Sequence, residues 1–189
     1  MLKNAKLKYT KLDDPAAKGA ELLEQGKIIS WFQGQMEFGA RALGNRSILA
    51  NPVFPDMKLK VNDEVKYREN WRPFCPSMID EAKSDYLVDV NEASFMIVAY
   101  HMQEKVKKDV PAIVHVDGTA GPQAVTQKAN PKFHSLISNL GKKTGHPVVM
   151  NTSFNVRGEP IVVSPLDAIR CFYSNGLDAV IIEDFLLEK

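Results

Sequence analysis

Cysteine is nearly absent. The 189-residue chain has two, Cys75 and Cys171, and neither sits in a Cys-x-x-Cys or mixed Cys/His spacing. That excludes a disulfide framework or a structural zinc site as the organising device and leaves two buried free thiols as the expectation. Long apolar runs are missing too: none approaches the length of a membrane-spanning helix, and the opening MLKNAKLKYTK lacks the apolar core of a signal peptide, so a cytoplasmic chain with no membrane association is expected. An excess of one charge is also missing. Lys plus Arg number 24 against 23 Asp plus Glu, a formal net charge of +1, which gives no electrostatic case for nonspecific nucleic-acid binding but leaves room for a local basic cleft. There is no internal repeat and no low-complexity segment. With 44% hydrophobic and 25% charged residues, the chain reads as one ordinary globular domain with a sizeable core.

What is present is organised around residues 147–165, PVVMNTSFNVRGEPIVVSP. The run from Pro147 to Met150 reads as a buried strand. It ends in a polar elbow where Asn151, Thr152, Ser153, Asn155 and Arg157 offer amide, hydroxyl and guanidinium groups within a few residues, with Gly158 free to turn. A turn alone needs one or two such residues. A short apolar strand, Pro160 to Val163, is expected next, and then a helix with Ser164 at the cap, Pro165 at the first helical position and Asp167 in the first turn.

Upstream, Asp14-Pro15 opens a helix that stops at Gly26, and Ile28 to Phe32 reads as a strand. The following segment, QGQMEFGARALGNRSILANP, interleaves Gly34, Gly39 and Gly44 with Arg41 and Arg46. Exposed backbone N–H groups and guanidinium forks together suggest an anion cradle; it matches neither the P-loop nor the dinucleotide fingerprint. The structural alternative is a surface loop whose arginines are solvated or paired with Glu37. Beyond a short strand over 47–50, residues 56–64 suit a helix. Lys66 and Arg68, two apart, would face one side if extended and diverge if helical. The proline-rich stretch 71–79 reads as an edge or irregular strand, 81–87 as a short helix, 94–100 as a strand, and 111–116 as a strand closed by a turn at Asp117-Gly118. Ser77 has no His/Asp constellation visible nearby to make it a nucleophile, and His115 is expected to be a half-buried structural histidine. Phe133, Leu136, Ile137 and Leu140 form one apolar stripe on a helix that starts at Asn130-Pro131. Residues 179–182 form the last expected strand. Helices and strands alternate, which points to an α/β or mixed-sheet α+β domain.

Four segments, GQMEFGARALGNRSILANP, KYRENWRPFCPSM, HVDGTAGPQAV and PVVMNTSFNVRGEPIVVSPLDAI, together resemble the C-terminal, YrdC-like domain of the ATP-dependent O-carbamoyltransferases that modify antibiotics and nodulation factors. The resemblance covers the chain from about Ala20 onward. It implies an open twisted mixed β-sheet with flanking helices around a basic cleft. It also implies an activity: carbamoyl phosphate and ATP, carried with Mg²⁺, give carbamoyl adenylate and pyrophosphate. Transfer to a hydroxyl belongs, in that family, to a preceding Kae1-like domain of the actin/Hsp70 class that carries the metal site. The 189 residues match only the C-terminal domain, so the chain is expected to be an excised piece or a split-gene product, with no metal site of its own and with residues 1–19 partly linker.

Carried over position by position, Arg41, Arg46 and Lys66 fall at the family's anion-binding positions, with Arg41 and Lys66 as the catalytic cations. Arg68 belongs to the same Lys-x-Arg pair. Asn151 and Ser153 fall where the family holds the carbamoyl end of the intermediate, and Arg157 is a further substrate-binding candidate. One position departs: Gly121 stands where the family has an arginine, with Arg157 or Lys128 as candidate substitutes. The departure raises the alternative of a degenerate, noncatalytic nucleotide-binding or docking domain; an RNA-binding YrdC-like module is the less favoured third reading.

Overall fold

The computed structural model describes residues 6–189. In chain order the elements are β1 (Thr10–Lys11), α1 (Pro15–Glu24), β2 (Ile29–Phe32), β3 (Arg46–Ala50) and α2 (Met57–Lys60), which runs on as a π-helix over Val61–Lys66. Then come β4 (Cys75–Ile79), a 3-10 turn at Asp80–Ala82, α3 (Lys83–Tyr86), β5 (Tyr100–His101), α4 (Glu104–Lys107), a 3-10 turn at Pro111–Ile113, β6 (Thr119–Ala120) and β7 (Gln123–Val125). The chain closes with α5 (Pro131–Thr144), β8 (Val148–Ser153), α6 (Pro165–Tyr173), β9 (Ala179–Ile182) and β10 (Phe185–Glu188). Of the segment read as linker, residues 1–5 lie outside the described residues; Thr10 and Lys11 pair with Leu186 and Phe185 of β10, and so belong to the sheet.

Eight strands form one open mixed sheet in the order β1-β10-β9-β2-β3-β8-β4-β7, in which β2–β9 and β4–β7 are parallel and the remaining pairs antiparallel. Both faces are covered, which is why the central strands read as unbroken apolar runs. Alternate residues divide between two cores: Leu49, Val149 and Ile181 join Phe133, Leu136, Ile137 and Leu140 of α5 on one face, while Ile48, Met150 and Val180 join Ile169 and Phe172 of α6 on the other. The helix starts follow from their capping residues. Asp14 accepts from the Ala17 N–H, Asn130 from the Phe133 N–H, and Ser164 and Asp167 form a reciprocal capping box.

Four expectations are corrected. Residues 71–79 yield no edge strand: β4 lies between β8 and β7, and Pro76 is tolerated because β7 pairs only with Ser77–Ile79, past the position where proline lacks a donor. Residues 94–99 are irregular, since Phe95, Ile97 and Val98 are exposed and give no buried face to pair on. The expected strand over 111–116 is a 3-10 turn, begun by Pro111, and a loop. Pro160 to Val163 form no ladder; the Val162 N–H bonds to the Phe154 carbonyl instead. Strands β1, β6, β7 and β10 are not among those expected from the sequence.

Candidate functional site

Strand β8 carries its polar end out of the sheet centre, and its two sheet neighbours, β3 and β4, frame it. Over this end a cleft of about 140 Å³ opens, lined by Arg41 and its neighbours Ala40 and Ala42, by Arg68, Pro73, Phe74 and Cys75, by Met96, and by Asn151, Thr152 and Ser153. Arg41, Arg68, Asn151 and Ser153 therefore share one cavity. Arg41 is exposed, whereas Asn151 is 2% exposed and holds a fixed orientation. Cys75 is only half-buried, contrary to the expectation of a buried thiol, while Cys171 is buried. Burial pushes the Cys75 thiol above its ordinary pKa, against the pull of Arg41 and Arg68.

Lys66 stands directly behind Ser153. It ends the π-helix, a local widening of the helical turn often found at functional sites, and the next residue, Tyr67, has a left-handed backbone (φ 46°) that costs a non-glycine residue about 1–3 kcal/mol. This bend separates Lys66 from Arg68. Lys66 Nζ donates to the carbonyl oxygens of Ser153 (2.9 Å) and Asn155 (3.0 Å) and to Asn155 Oδ1 (2.7 Å). Arg68 turns to Asn62 Oδ1 (2.7 Å) and the Pro73 carbonyl (3.2 Å), its guanidinium 4.4 Å from the centre of the Phe74 ring. Every Lys66 partner is a neutral oxygen, so its charge is not cancelled locally. Burial, followed by the neighbouring Arg68, brings the ammonium down to about 8.

The glycine-rich loop is a cradle already filled from within. Glu37 Oε1 accepts the backbone N–H groups of Leu43 (2.7 Å), Asn45 (2.7 Å) and Arg46 (3.2 Å), the donors that a bound anion would otherwise find. Arg46 is likewise spent on structure. It is 4% exposed, donates to the carbonyls of Gln33, Asn45 and Gly34, and lies 3.4 Å above the centre of the Phe32 ring. Arg157 donates to the Tyr67 carbonyl (2.9 Å) and is exposed. Neither Arg46 nor Arg157 lines the cleft. Asp117 makes a turn, accepting from Thr119, and the adjacent His115 bonds Thr119 Oγ1.

Sequence reasoning missed three contributors: Glu37, which sets the loop, and Ser77 and Gln123, which form a buried polar group with Asn151 below the cleft floor. Gln123 lies inside one of the four motifs, but Pro76, Ser77 and Met78 are buried in succession, so no alternation marks Ser77, and only the pairing of β4, β7 and β8 reveals that the three meet.

The sequence profile described as the carbamoyltransferase C-terminus matches residues 20–189. The chain belongs to the carbamoyltransferase C-terminus family. Within it, the chain is 43% identical over 180 residues to the nodulation protein NolO of Bradyrhizobium diazoefficiens, covering 94% of itself and 33% of NolO. It is 33% identical over 162 residues to the 3'-hydroxymethylcephem-O-carbamoyltransferase of Amycolatopsis lactamdurans, covering 86% of itself and 31% of that enzyme. This carbamoyltransferase C-terminus thus spans about a third of the length of these curated relatives. Its YrdC-like fold also resembles part of full-length HypF, solved in a phosphate- and nucleotide-bound form, with a TM-score of 0.60 at 19% identity over 95% of this chain and 22% of HypF. Among the described residues, no three His, Cys, Asp or Glu side chains are grouped to hold a metal ion, and no helix is long and apolar enough to cross a membrane.

Proposed function

We propose that the cleft over β8 binds carbamoyl phosphate and MgATP and forms carbamoyl adenylate, as the activating part of an O-carbamoyltransferase whose Kae1-like part performs transfer. Water takes the phosphoryl group of carbamoyl phosphate as inorganic phosphate, an oxygen of the released carbamate attacks the α-phosphorus of ATP, and pyrophosphate leaves. The observation that carries this reading is the meeting of Arg41 and Arg68 with the neutral Asn151 and Ser153 around one cavity, in a chain of this family. Joining two anions requires fixed positive charge to offset their repulsion and to stabilise the leaving pyrophosphate. Arg41 and Arg68 supply it at the cleft, and Lys66 adds a charge from behind Ser153. Asn151 and Ser153 present neutral polar atoms suited to an uncharged carbamoyl amide. At about 140 Å³ the cleft is smaller than the roughly 300–1,000 Å³ of drug-sized ligand sites, which favours carbamoyl phosphate in its depth and the nucleotide at its open side. On this reading Arg46 and Glu37 act by shaping the Arg41 loop.

Calorimetric titration with carbamoyl phosphate and with MgATP, together with a pyrophosphate-release assay, tests the proposal. Binding of both, with release only when both are present, is expected; absence of heat for either ligand overturns it.

A further inference from the structure

Ser77, Gln123 and Asn151 come from three adjacent strands and are 0%, 5% and 2% exposed. Their hydrogen bonds run in one direction. Gln123 Nε2 donates to the Leu43 carbonyl (2.9 Å), so Gln123 Oε1 must accept, and it accepts the Ser77 hydroxyl at 2.7 Å. The Ser77 oxygen is then left to accept, and it takes Asn151 Nδ2 at 2.9 Å, while the same Nδ2 also donates to the Ala42 carbonyl at 3.1 Å. Turning either amide over would set an oxygen against a main-chain carbonyl, so both ends of the chain are fixed by the carbonyls of Ala42 and Leu43, the two residues that follow Arg41. The consequence falls on Asn151 Oδ1. It is buried, has no hydrogen-bond partner, and belongs to a residue lining the cleft.

We propose that Ser77 and Gln123 are positioning residues that lock the Asn151 amide with its oxygen as a lone acceptor, making the cleft selective for a ligand that carries an N–H at that point. The inference rests on the function proposed above and deepens it. The reactant must be a carbamoyl group bearing NH₂, and an acyl phosphate of the same shape without the N–H is rejected. A buried acceptor left unpaired costs about 1–3 kcal/mol, so discrimination of about 5- to 150-fold is expected. The same polar chain ties the Arg41 loop to the sheet, so one network sets both the neutral and the charged side of the cleft.

Acetyl phosphate, in which a methyl replaces the NH₂ of carbamoyl phosphate, is the probe. Affinities of the two compounds are measured for the wild-type chain and for Ser77→Ala and Gln123→Leu, with thermal melts confirming that each variant is folded. A preference for carbamoyl phosphate of about 5-fold or more in the wild type, reduced to within about threefold in both variants, is the expected result. A merely structural role would weaken both ligands alike and leave their ratio unchanged, and that result overturns the positioning role while the proposed function stands. Equal binding of the two compounds by the wild type overturns the selectivity. If neither compound binds, the proposed function falls and the selectivity falls with it. The lock has its own readout in the ligand-free protein: the Asn151 side-chain amide protons should exchange slowly by NMR in the wild type and at least about tenfold faster in Ser77→Ala, where the bond to the Ser77 hydroxyl is gone. Exchange as fast as that of an exposed asparagine in the wild type overturns the lock itself.

Discussion

Lys66 Nζ lies 2.9 Å from the carbonyl oxygen of Ser153, a bond that joins the end of a π-helix to the polar end of the central strand. The cation behind the cleft is thereby held by neutral oxygens, in a setting where burial has lowered its pKa to about 8. Bound anions favour the charged form, so affinity for carbamoyl phosphate or ATP should fall as pH rises through about 8, approaching tenfold per unit above it for one linked proton. Calorimetry between pH 7 and 9.5 measures this, and Lys66→Met should both weaken binding and flatten the profile. Stability moves the other way. The folded pKa lies below the unfolded value, so the cost of the buried charge is present below about pH 8 and is relieved as pH rises from there toward the unfolded pKa. A pH profile identical in Lys66→Met would remove Lys66 from the site.

The Glu37 carboxylate offers a second test. One oxygen serves three backbone N–H groups at 2.7, 2.7 and 3.2 Å, so Glu37→Ala leaves three donors to find water in a tightly turned loop. A loss of about 1–3 kcal/mol is expected, which at roughly 2–4 °C per kcal/mol for a domain of this size lowers the melting temperature by several degrees. Glu37→Gln, which keeps an acceptor but not the charge, should fall between. Because Arg41 rides on the same loop, calorimetry on Glu37→Ala should also show weaker anion binding. An unchanged melt would mean that the loop is held by something else.

Gly44 sits where that loop meets α5. Its φ is +104°, and a Cβ added there would lie 2.1 Å from Cδ1 of the Phe133 ring, a core side chain with no room to retreat. Strain and overpacking each cost about 1–3 kcal/mol, so Gly44→Ala should destabilise by about 3 kcal/mol or more, or abolish soluble folding. Urea unfolding decides it. A midpoint within error of wild type would contradict the packing described.

These three residues mark where the sequence could be read and where it could not. The strong helix starts were legible because Asp14-Pro15, Asn130-Pro131 and Ser164-Pro165 are local capping chemistry. The central strands were legible because burial on both faces leaves unbroken apolar runs. Residues 94–99 misled for the complementary reason: Phe95, Ile97 and Val98 carry strand-forming side chains yet point outward in a loop beside the cleft. In the glycine-rich segment, composition announced an anion cradle but could not disclose that Glu37 competes for its amides. Nor could it disclose that Arg46, opposite Phe32 in the β2–β3 pairing, is consumed by carbonyls. The grouping of Ser77, Gln123 and Asn151 depends on three strands distant in sequence, and no local pattern encodes it.

Substitution at position 121 is the test that distinguishes a working cleft from a degenerate one. Gly121 is buried without a left-handed backbone, and a Cβ there would meet Cys75 Sγ at 3.4 Å, an ordinary contact with a residue that lines the cleft. An arginine side chain is therefore sterically admissible at its base and starts beside Cys75, a residue of the cleft that Arg41 and Arg68 also line. Gly121→Arg should add one charge-assisted contact to a bound phosphate, worth about 1.5–3 kcal/mol or roughly 10- to 150-fold in affinity, at some cost in stability from gathering a third guanidinium. The gain should shrink at high salt, since it is electrostatic. Parallel titrations of the two proteins with carbamoyl phosphate and ATP decide between the readings: measurable binding by wild type, strengthened in the variant, describes an active site with one contact fewer. Binding that appears only in Gly121→Arg describes a cleft that has kept its shape and lost its ligand, and equal binding by both proteins would place position 121 outside the recognition of phosphate altogether.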